Sequence, residues 1–380
     1  MIAVAEMNSF DELANLRVTW KQLWQETRDA SFVQSWEWLR SYWRLFGDDL
    51  KLRALVVTLA AKPIGIVPFA LRPVKTKLGM ANVLTWPQDD WGACHGQIGP
   101  NPAAALAAAM RHITQTREWD AIELSGIDES RVDRGRTRNA MQSCGIQPSE
   151  TDTLQYPVIQ IEGSWDWFLE ERGLELRMQL ARAQQVLDQH GPVSFHRWRP
   201  LGGRNGETAR RWDLFQTFAE IKRATERGTS QTESGLAMLQ DVHPLAVDAG
   251  AVDIATLTIN GRAVACCYSY VSRGTVEVMF VGAHDPAAET ATTVLIGNII
   301  RDSFMRDDQR IIFRRCDGPV ASAWISDSLS TVTLSHIRKL SARGQLLKLA
   351  RPANRNLNES ALPANGTNLN AGSIGIHAGS

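Results

Sequence analysis

The feature that most restricts this chain is an order of elements that occurs twice. Apolar periodicity marks helices at the N-terminus, then a β-hairpin over Leu52 to Leu71, a helix over Ala103 to Arg117 and a short strand over Ala121 to Leu124. About 200 residues on, helices again lead into a hairpin over Val252 to Val271, a helix over Thr292 to Met305 and a short strand over Arg310 to Phe313. A period that long is not a solenoid's. It predicts an α/β (α+β) protein with two copies of one domain in tandem, each a mixed sheet flanked by helices.

The elements carry local reasons. Asn8 or Ser9 can cap a helix over Phe10 to Thr27, whose Leu13, Leu16, Trp20, Leu23 and Trp24 share a stripe. A second helix over Ser35 to Phe46 places Trp36, Leu39, Trp43 and Phe46 near a 3.6 period, and Gly47 ends it. The later hairpin has the strongest turn chemistry, Asn260-Gly261 between two β-rich runs. A strand near Tyr156 to Ile161 closes the first half. A long helix over Trp165 to Gln189, with Arg172, Arg177 and Arg182 on its polar side, links it to a strand over Val193 to Trp198. Helices over Thr208 to Arg223 and Leu236 to Asp248 precede the hairpin, and Thr275 to Gly282 adds a third strand. The expected division is an N-terminal domain over 1–162, a C-terminal domain over 163–336, a basic terminal helix over 337–351 and a tail over 352–380. The basic helix carries Arg338, Lys339, Arg343, Lys348 and Arg351 and reads as a solvated face. The tail, rich in Asn, Ala, Gly and Ser with few core formers, reads as disordered.

Composition removes several function classes. Lys plus Arg and Asp plus Glu both total 41, so no net field marks a nucleic-acid binder. No window reaches the roughly 18 apolar residues of a membrane span. Met1 to Phe10 includes Glu6 and lacks a basic patch before an apolar run, so it does not read as a signal peptide. The five cysteines are Cys94, Cys144, Cys266, Cys267 and Cys316. They have no zinc-ligand spacing, so no metal is expected, and reduced thiols fit a cytoplasm. Of 13 tryptophans, seven precede Pro100. Such aromatic area builds cores and also lines acceptor clefts.

Four stretches together resemble a known group. They are Ser31 to Trp43 (SFVQSWEWLRSYW), the hairpin Leu55 to Arg72 with Ile64-Gly65-Ile66-Val67-Pro68, the arginine-bearing helix and strand over Trp165 to His196, and INGRAVA at Ile259 to Ala265 continuing to Gly282-Ala283-His284-Asp285-Pro286. Their order is similar to that of the GNAT-superfamily acetyltransferase domain of CelD-like (cellulose-biosynthesis-type) and FemAB-like proteins. The resemblance implies a sheet splayed between two strands, here Thr275–Gly282 and Arg310–Arg315, with the pantetheine arm of acetyl-CoA or another acyl-CoA as co-substrate between them. Val278, Phe280 and Gly282 would flank that arm. The pyrophosphate would sit at the helix start of Thr290, Thr292 and Thr293, where free N–H groups and the helix dipole favour anions. An ordinary threonine-capped helix is the alternative there. The resemblance also implies an N-acyltransferase acting on an amino sugar, a polysaccharide precursor or a similar amine. Its alternatives are a non-catalytic module contacting polysaccharide-assembly proteins, and a FemAB-like transferase that uses aminoacyl-tRNA. Two departures from the family pattern stand out. No glycine occurs from Ala283 to Ile296, where GNAT proteins carry Q/R-x-x-G-x-G/A, and the relatives' Asp, Tyr and Lys are replaced by Ile312, Val320 and Ala321.

Acyl transfer to an amine needs a base tuned towards neutral pH and donors for the developing oxyanion. Glu277, on the strand beside the arm, is the first candidate base. His284 and Asp285 at that strand's end are others, though His284-Asp285-Pro286 also reads as a turn. Asp317 is a further candidate. Cys94-His95 has the residue types of a nucleophile pair, on adjacency alone. For the small-molecule or saccharide acceptor, the loop Trp86 to Gly96 mixes aromatics, acids and glycines, and Asp90, Trp91 and His95 are its candidate contacts.

Overall fold

The computed structural model describes residues 1–88, 91–116, 118–202, 209–284, 288–314 and 323–347. The first half runs β1 (Ile2–Met7), α1 (Phe10–Ala14), α2 (Arg17–Glu26), α3 (Trp36–Phe46), β2 (Lys51–Leu59), β3 (Lys62–Thr76), β4 (Gly79–Thr85), α4 (Pro102–Thr116), β5 (Ala121–Ile127), α5 (Arg136–Ser143) and β6 (Ser149–Gln160). The second runs α6 (Trp165–Glu171), α7 (Gly173–Asp188), β7 (Val193–Trp198), α8 (Trp212–Thr225), α9 (Ser230–Asp248), β8 (Val252–Ile259), β9 (Arg262–Ser272), β10 (Thr275–Ala283), α10 (Ala288–Met305), β11 (Arg310–Phe313) and β12 (Asp327–Ile337).

Local chemistry sets several boundaries. The Ser9 hydroxyl accepts the Glu12 N–H at 3.2 Å while the Glu12 carboxylate reaches back to the Ser9 N–H, so two otherwise orphaned donors are satisfied together. Ser35 caps α3 through the Trp38 N–H. The single linking helix expected over Trp165 to Gln189 is broken in two, because Gly173 takes φ +86°, outside the helical region. The basic terminal helix is much shorter than expected. His336 and Ile337 still belong to β12, and helical backbone covers only 342–347 among the described residues.

The twelve strands among the described residues form one sheet in the order β1-β2-β3-β4-β5-β12-β6-β11-β10-β9-β8-β7. Adding six to each label, and wrapping past twelve, reads the order backwards. The fold is therefore two copies of one unit about a pseudo-twofold axis, as the repeated element order predicts. The hairpins repeat in detail. Both carry a register shift at the same step, Val57/Thr58 in the first and Leu257/Thr258 in the second. Both turn on two residues with positive φ, Ala60-Ala61 and Asn260-Gly261.

The two sheets are fused because their last strands are exchanged. β6 pairs antiparallel with β11 of the second half, and β12 pairs antiparallel with β5 of the first. β6 and β12 also pair with each other. Apolar side chains fill both faces. Val276 and Val278 pack with α10 and α7, while Tyr268, Tyr270 and Phe280 pack with α8, α9 and Trp38 of α3. The exchange and this shared core press one wall of the first half against the second half's β10 and β11. Among the described residues no helix is long and apolar enough to cross a membrane.

Candidate active site

Strands β10 and β11 are parallel and are joined over the first four residues of β10. Thr275 to Val278 pair with Arg310 to Phe313, and the Arg314 N–H reaches the Val278 carbonyl at 3.3 Å. β10 then bulges between Val278 and Phe280 and continues to Ala283 against β9. Among the described residues, no strand pairs with Met279 to Ala283 on the β11 side. This is the stretch where the splay is expected, and residues 315–322, which follow β11 in the chain, lie outside the described residues. An edge left open there would pair with an extended ligand as with an added strand.

Gly282 sits where that edge meets α8. A Cβ there would come within 2.6 Å of the Phe280 ring and 2.9 Å of Thr225 Oγ1, so a larger residue would have to displace those side chains. Phe280 lies under the Lys222 ammonium at 4.9 Å. α10 starts five positions beyond Ala283 and presents its positive dipole end there. The three threonines are not equivalent. Thr293 is buried and its hydroxyl donates to the Glu289 carbonyl at 2.8 Å, so that proton is unavailable to a phosphate. Thr290 and Thr292 are half-buried.

Glu277 precedes the bulge by two positions and is 5 % exposed. Its Oε1 accepts the Ala93 N–H at 2.9 Å. Burial pushes its carboxyl above the ordinary value, with Arg314, the Ala93 N–H and Arg310 opposing. A carboxylate so poised is a base closer to neutral pH. Ala93 belongs to the loop predicted to hold the acceptor. That loop is fixed from several sides: Trp86 Nε1 donates to the Ser125 carbonyl, the His95 N–H to Gly126, and Ile98 exchanges two 2.9 Å bonds with Ile66.

Glu277 opens on a narrow cleft between the halves. Its polar lining includes Asp29, Cys94, Asp128, Tyr270, Ser272 and Arg310. The predicted loop thus reaches the cleft, but through Ala93 and Cys94. Trp91 is buried, edge-on to Trp38 at 5.5 Å and beneath the Arg314 guanidinium at 5.9 Å, so its faces serve the core. His95 packs on Gly126, whose Cβ position lies 2.4 Å from the imidazole. Burial, then the charges of Asp128 and Glu277, push the Cys94 thiol far up, which disfavours the thiolate a nucleophile needs. His284 donates its N–H to the Val264 carbonyl and lies seven residues beyond Glu277, about 23 Å along an extended strand. The two do not share a site. Asp90, Asp285 and Asp317 lie outside the described residues.

Asp29, Asp128, Tyr270 and Arg310 were not singled out by sequence. Tyr270 ends a buried chain of polar groups. His243 Nε2 contacts the Arg210 carbonyl at 2.7 Å, His243 Nδ1 the Tyr268 hydroxyl at 3.0 Å, and Tyr268 the Tyr270 hydroxyl at 3.4 Å. Burial lowers the His243 pKa to about 4, so the ring is neutral. A neutral buried histidine stabilises the fold above its unfolded pKa near 6.5, and that contribution is lost as pH falls towards the folded value. Wild type should therefore lose about 3 kcal/mol more than His243→Gln between pH 6.5 and 4. Denaturant titrations of both proteins across that window check this, and parallel curves would refute it.

In the first half, β4 and β5 pair only at Val83–Leu84 with Ala121–Ile122. The space beside Ser125 and Gly126 is taken by the chain's own loop, through Trp86 and His95. The half that supplies the cleft wall has filled its counterpart of the splay.

Residues 175–318 match the acetyltransferase (GNAT) domain family, the stretch that contains β10, β11 and Glu277. No curated protein matches the sequence. Among solved structures, the chain is similar to FemX, at 9% identity over 92% of this chain and 99% of that one, with a TM-score of 0.58. It is also similar to a conserved protein of unknown function from Bacteroides thetaiotaomicron, at 11% identity, 88% and 100% coverage and a TM-score of 0.53. A C-terminal DUF2156 domain from Agrobacterium fabrum gives 8% identity, 90% and 96% coverage and a TM-score of 0.51. At such identities the likeness is one of fold.

Proposed function

We propose that this chain is an acyl-CoA-dependent N-acyltransferase with a single acyl-CoA site, in its second half, and an amine acceptor bound in the cleft between the halves. The observation that carries this reading is the β10–β11 pair, joined over the first four residues of β10 beside a buried carboxylate. An edge left open at Met279 to Ala283 would hold the pantetheine arm, and the start of α10 the pyrophosphate. The thioester would supply the acyl group. Glu277 would take the proton that the acceptor nitrogen loses as it attacks the thioester carbonyl, a step its raised pKa suits, and would return it to the CoA thiolate released when the C–S bond breaks. The acetyl group is the acyl group proposed first, from the family match.

Calorimetry with CoA tests the reading. The expected stoichiometry is one per chain, because the first half's slot is filled by its own loop. Thr290→Glu should weaken CoA binding about tenfold by setting a charge against the diphosphate. The same substitution favours the helix, since carboxylates suit a helix start, so its melting temperature should not fall. Absence of CoA binding at millimolar concentration would remove the reading. Two sites per chain would refute the asymmetry between the halves.

A further inference from the structure

Asp128 and Tyr270 both line the cleft, and each has an acceptor oxygen to which no described residue is seen to donate. Asp128, directly after β5, is 2 % exposed. Its Oδ1 accepts the Ser130 N–H at 3.1 Å, the Ser130 hydroxyl at 2.7 Å and the Arg131 N–H at 3.0 Å. Its Oδ2 is buried with no hydrogen-bond partner among the described residues. Neighbouring guanidinium groups are turned elsewhere. Arg131 pairs with Asp327 at 2.5 Å, Arg273 donates to the Gln25 carbonyl, and Arg310 donates to Thr275 Oγ1 while standing 3.8 Å from Asp29.

The second atom is the Tyr270 oxygen, and the direction of the chain behind it decides its role. The Arg210 carbonyl can only accept, so His243 Nε2 carries the ring proton and Nδ1 accepts from the Tyr268 hydroxyl. Tyr268 has then spent its one proton, and Tyr270 must donate to it. The Tyr270 oxygen therefore has only lone pairs left to offer a ligand.

A buried carboxylate oxygen without a donor is costly, and its natural complement is a ligand cation. The reacting nitrogen is a poor fit. It must be neutral to attack, and a fixed anion against it would hold its proton on. Glu277, which can itself take up a proton, suits that nitrogen. Asp128 suits a cation that stays charged.

We propose that Asp128 Oδ2 and Tyr270 Oη together anchor a second, non-reacting ammonium group of the acceptor, so that the acceptor class is a di- or polyamine. Only the identity of the reacting nitrogen rests on the N-acyltransferase reading. The anchoring subsite can be measured without turnover.

Calorimetric titration of the full chain with 1,4-diaminobutane and 1,5-diaminopentane, against butylamine and pentylamine, tests the subsite with and without CoA. A diamine should bind at least tenfold more tightly than its monoamine. Asp128→Asn keeps an oxygen for the Ser130 turn but puts an NH2 where the ligand needs an acceptor, so it should abolish that preference with the CoA Kd unchanged. Tyr270→Phe should reduce the preference, and it decides the matter if the Asp128 variant fails to fold. Equal binding of diamine and monoamine, a preference that survives in Asp128→Asn, or no diamine binding would each overturn the proposal. A diamine preference in a chain that does not bind CoA would keep the subsite and remove the N-acyltransferase reading.

Discussion

Glu277→Gln should lower kcat for acyl transfer by a factor of about 100 to 10,000, the usual contribution of a positioned base, and leave the CoA Kd unchanged. Glutamine has the same shape, and its carbonyl can still accept the Ala93 N–H now received by Glu277 Oε1 at 2.9 Å. What disappears is the ability to take a proton. The pH profile gives a second readout. Burial holds the Glu277 carboxyl above its ordinary value, so the wild-type rate should fall through that raised pKa as pH drops. The variant should lack this limb.

Stability should move the other way. A carboxyl whose pKa is raised by folding favours the folded state while it is protonated. That advantage is lost as pH rises through the folded pKa. Above that pH the wild type carries a buried charge, partly compensated by Arg314 and Arg310, and the glutamine variant does not. The inactive protein should therefore unfold at equal or higher denaturant concentration at pH 8, as expected where a site gives up stability for function. A variant that retains full activity would remove Glu277 from the chemistry.

The parts of the fold legible in the sequence are those fixed by neighbours in the chain. The hairpin at Asn260-Gly261 is visible because two positive φ values in succession select those residues. Its counterpart at Ala60-Ala61 makes the same turn without that chemistry and is legible only through the β-rich runs around it. β4 (GMANVLT) is short and half polar, and β1 (IAVAEM) spans only six residues. β1 gains its pairing from β2, beyond α1 to α3, while β4 pairs with β3 across the tight turn at Thr76–Gly79. The exchange of β6 and β12 has no local signature, since both halves would look complete with their own last strand.

The site divides in the same way. Glu277 is legible as a carboxylate in an otherwise apolar strand, and the loop from Trp86 to Gly96 by its mixed composition. Which residues of the loop face the cleft is not legible, because Trp91 finds Trp38 and Arg314 across elements far apart in sequence. Asp128 gains its role only when strand exchange sets the end of β5 opposite β10. Tyr270 gains its polarity from His243 through Tyr268, three residues that a sequence pattern assigns to core.

The largest effect on stability should come from Asp253→Ala, a loss of about 3–5 kcal/mol. Asp253 on β8 is 2 % exposed and receives two arginines. Arg197 of β7 bonds it in bidentate fashion at 2.9 and 2.7 Å, and Arg199 reaches it at 2.8 and 2.9 Å. Arg199 also grips Asp308, ahead of β11, while Arg197 donates to the Ile299 carbonyl and Ser303 hydroxyl of α10. The cluster thus ties the edge strand β7 to the end of α10 and to the turn that feeds β11, the far side of the splay. Burial pushes the Asp253 carboxyl up, but Arg197 and Arg199 outweigh it and hold the group below its ordinary value. Its contribution is present above the ordinary carboxylate range and is lost only as pH falls through the depressed value. Alanine leaves Arg197 buried without its principal anion, which is why the cost exceeds the worth of an ordinary ion pair. Arg197→Met/Asp253→Leu removes both charges and should recover much of the loss, with Asp308 still serving Arg199. Denaturation midpoints of the three proteins at pH 7 decide the matter. A double variant as unstable as Asp253→Ala would mean that the geometry of the cluster, rather than an uncompensated charge, sets the penalty.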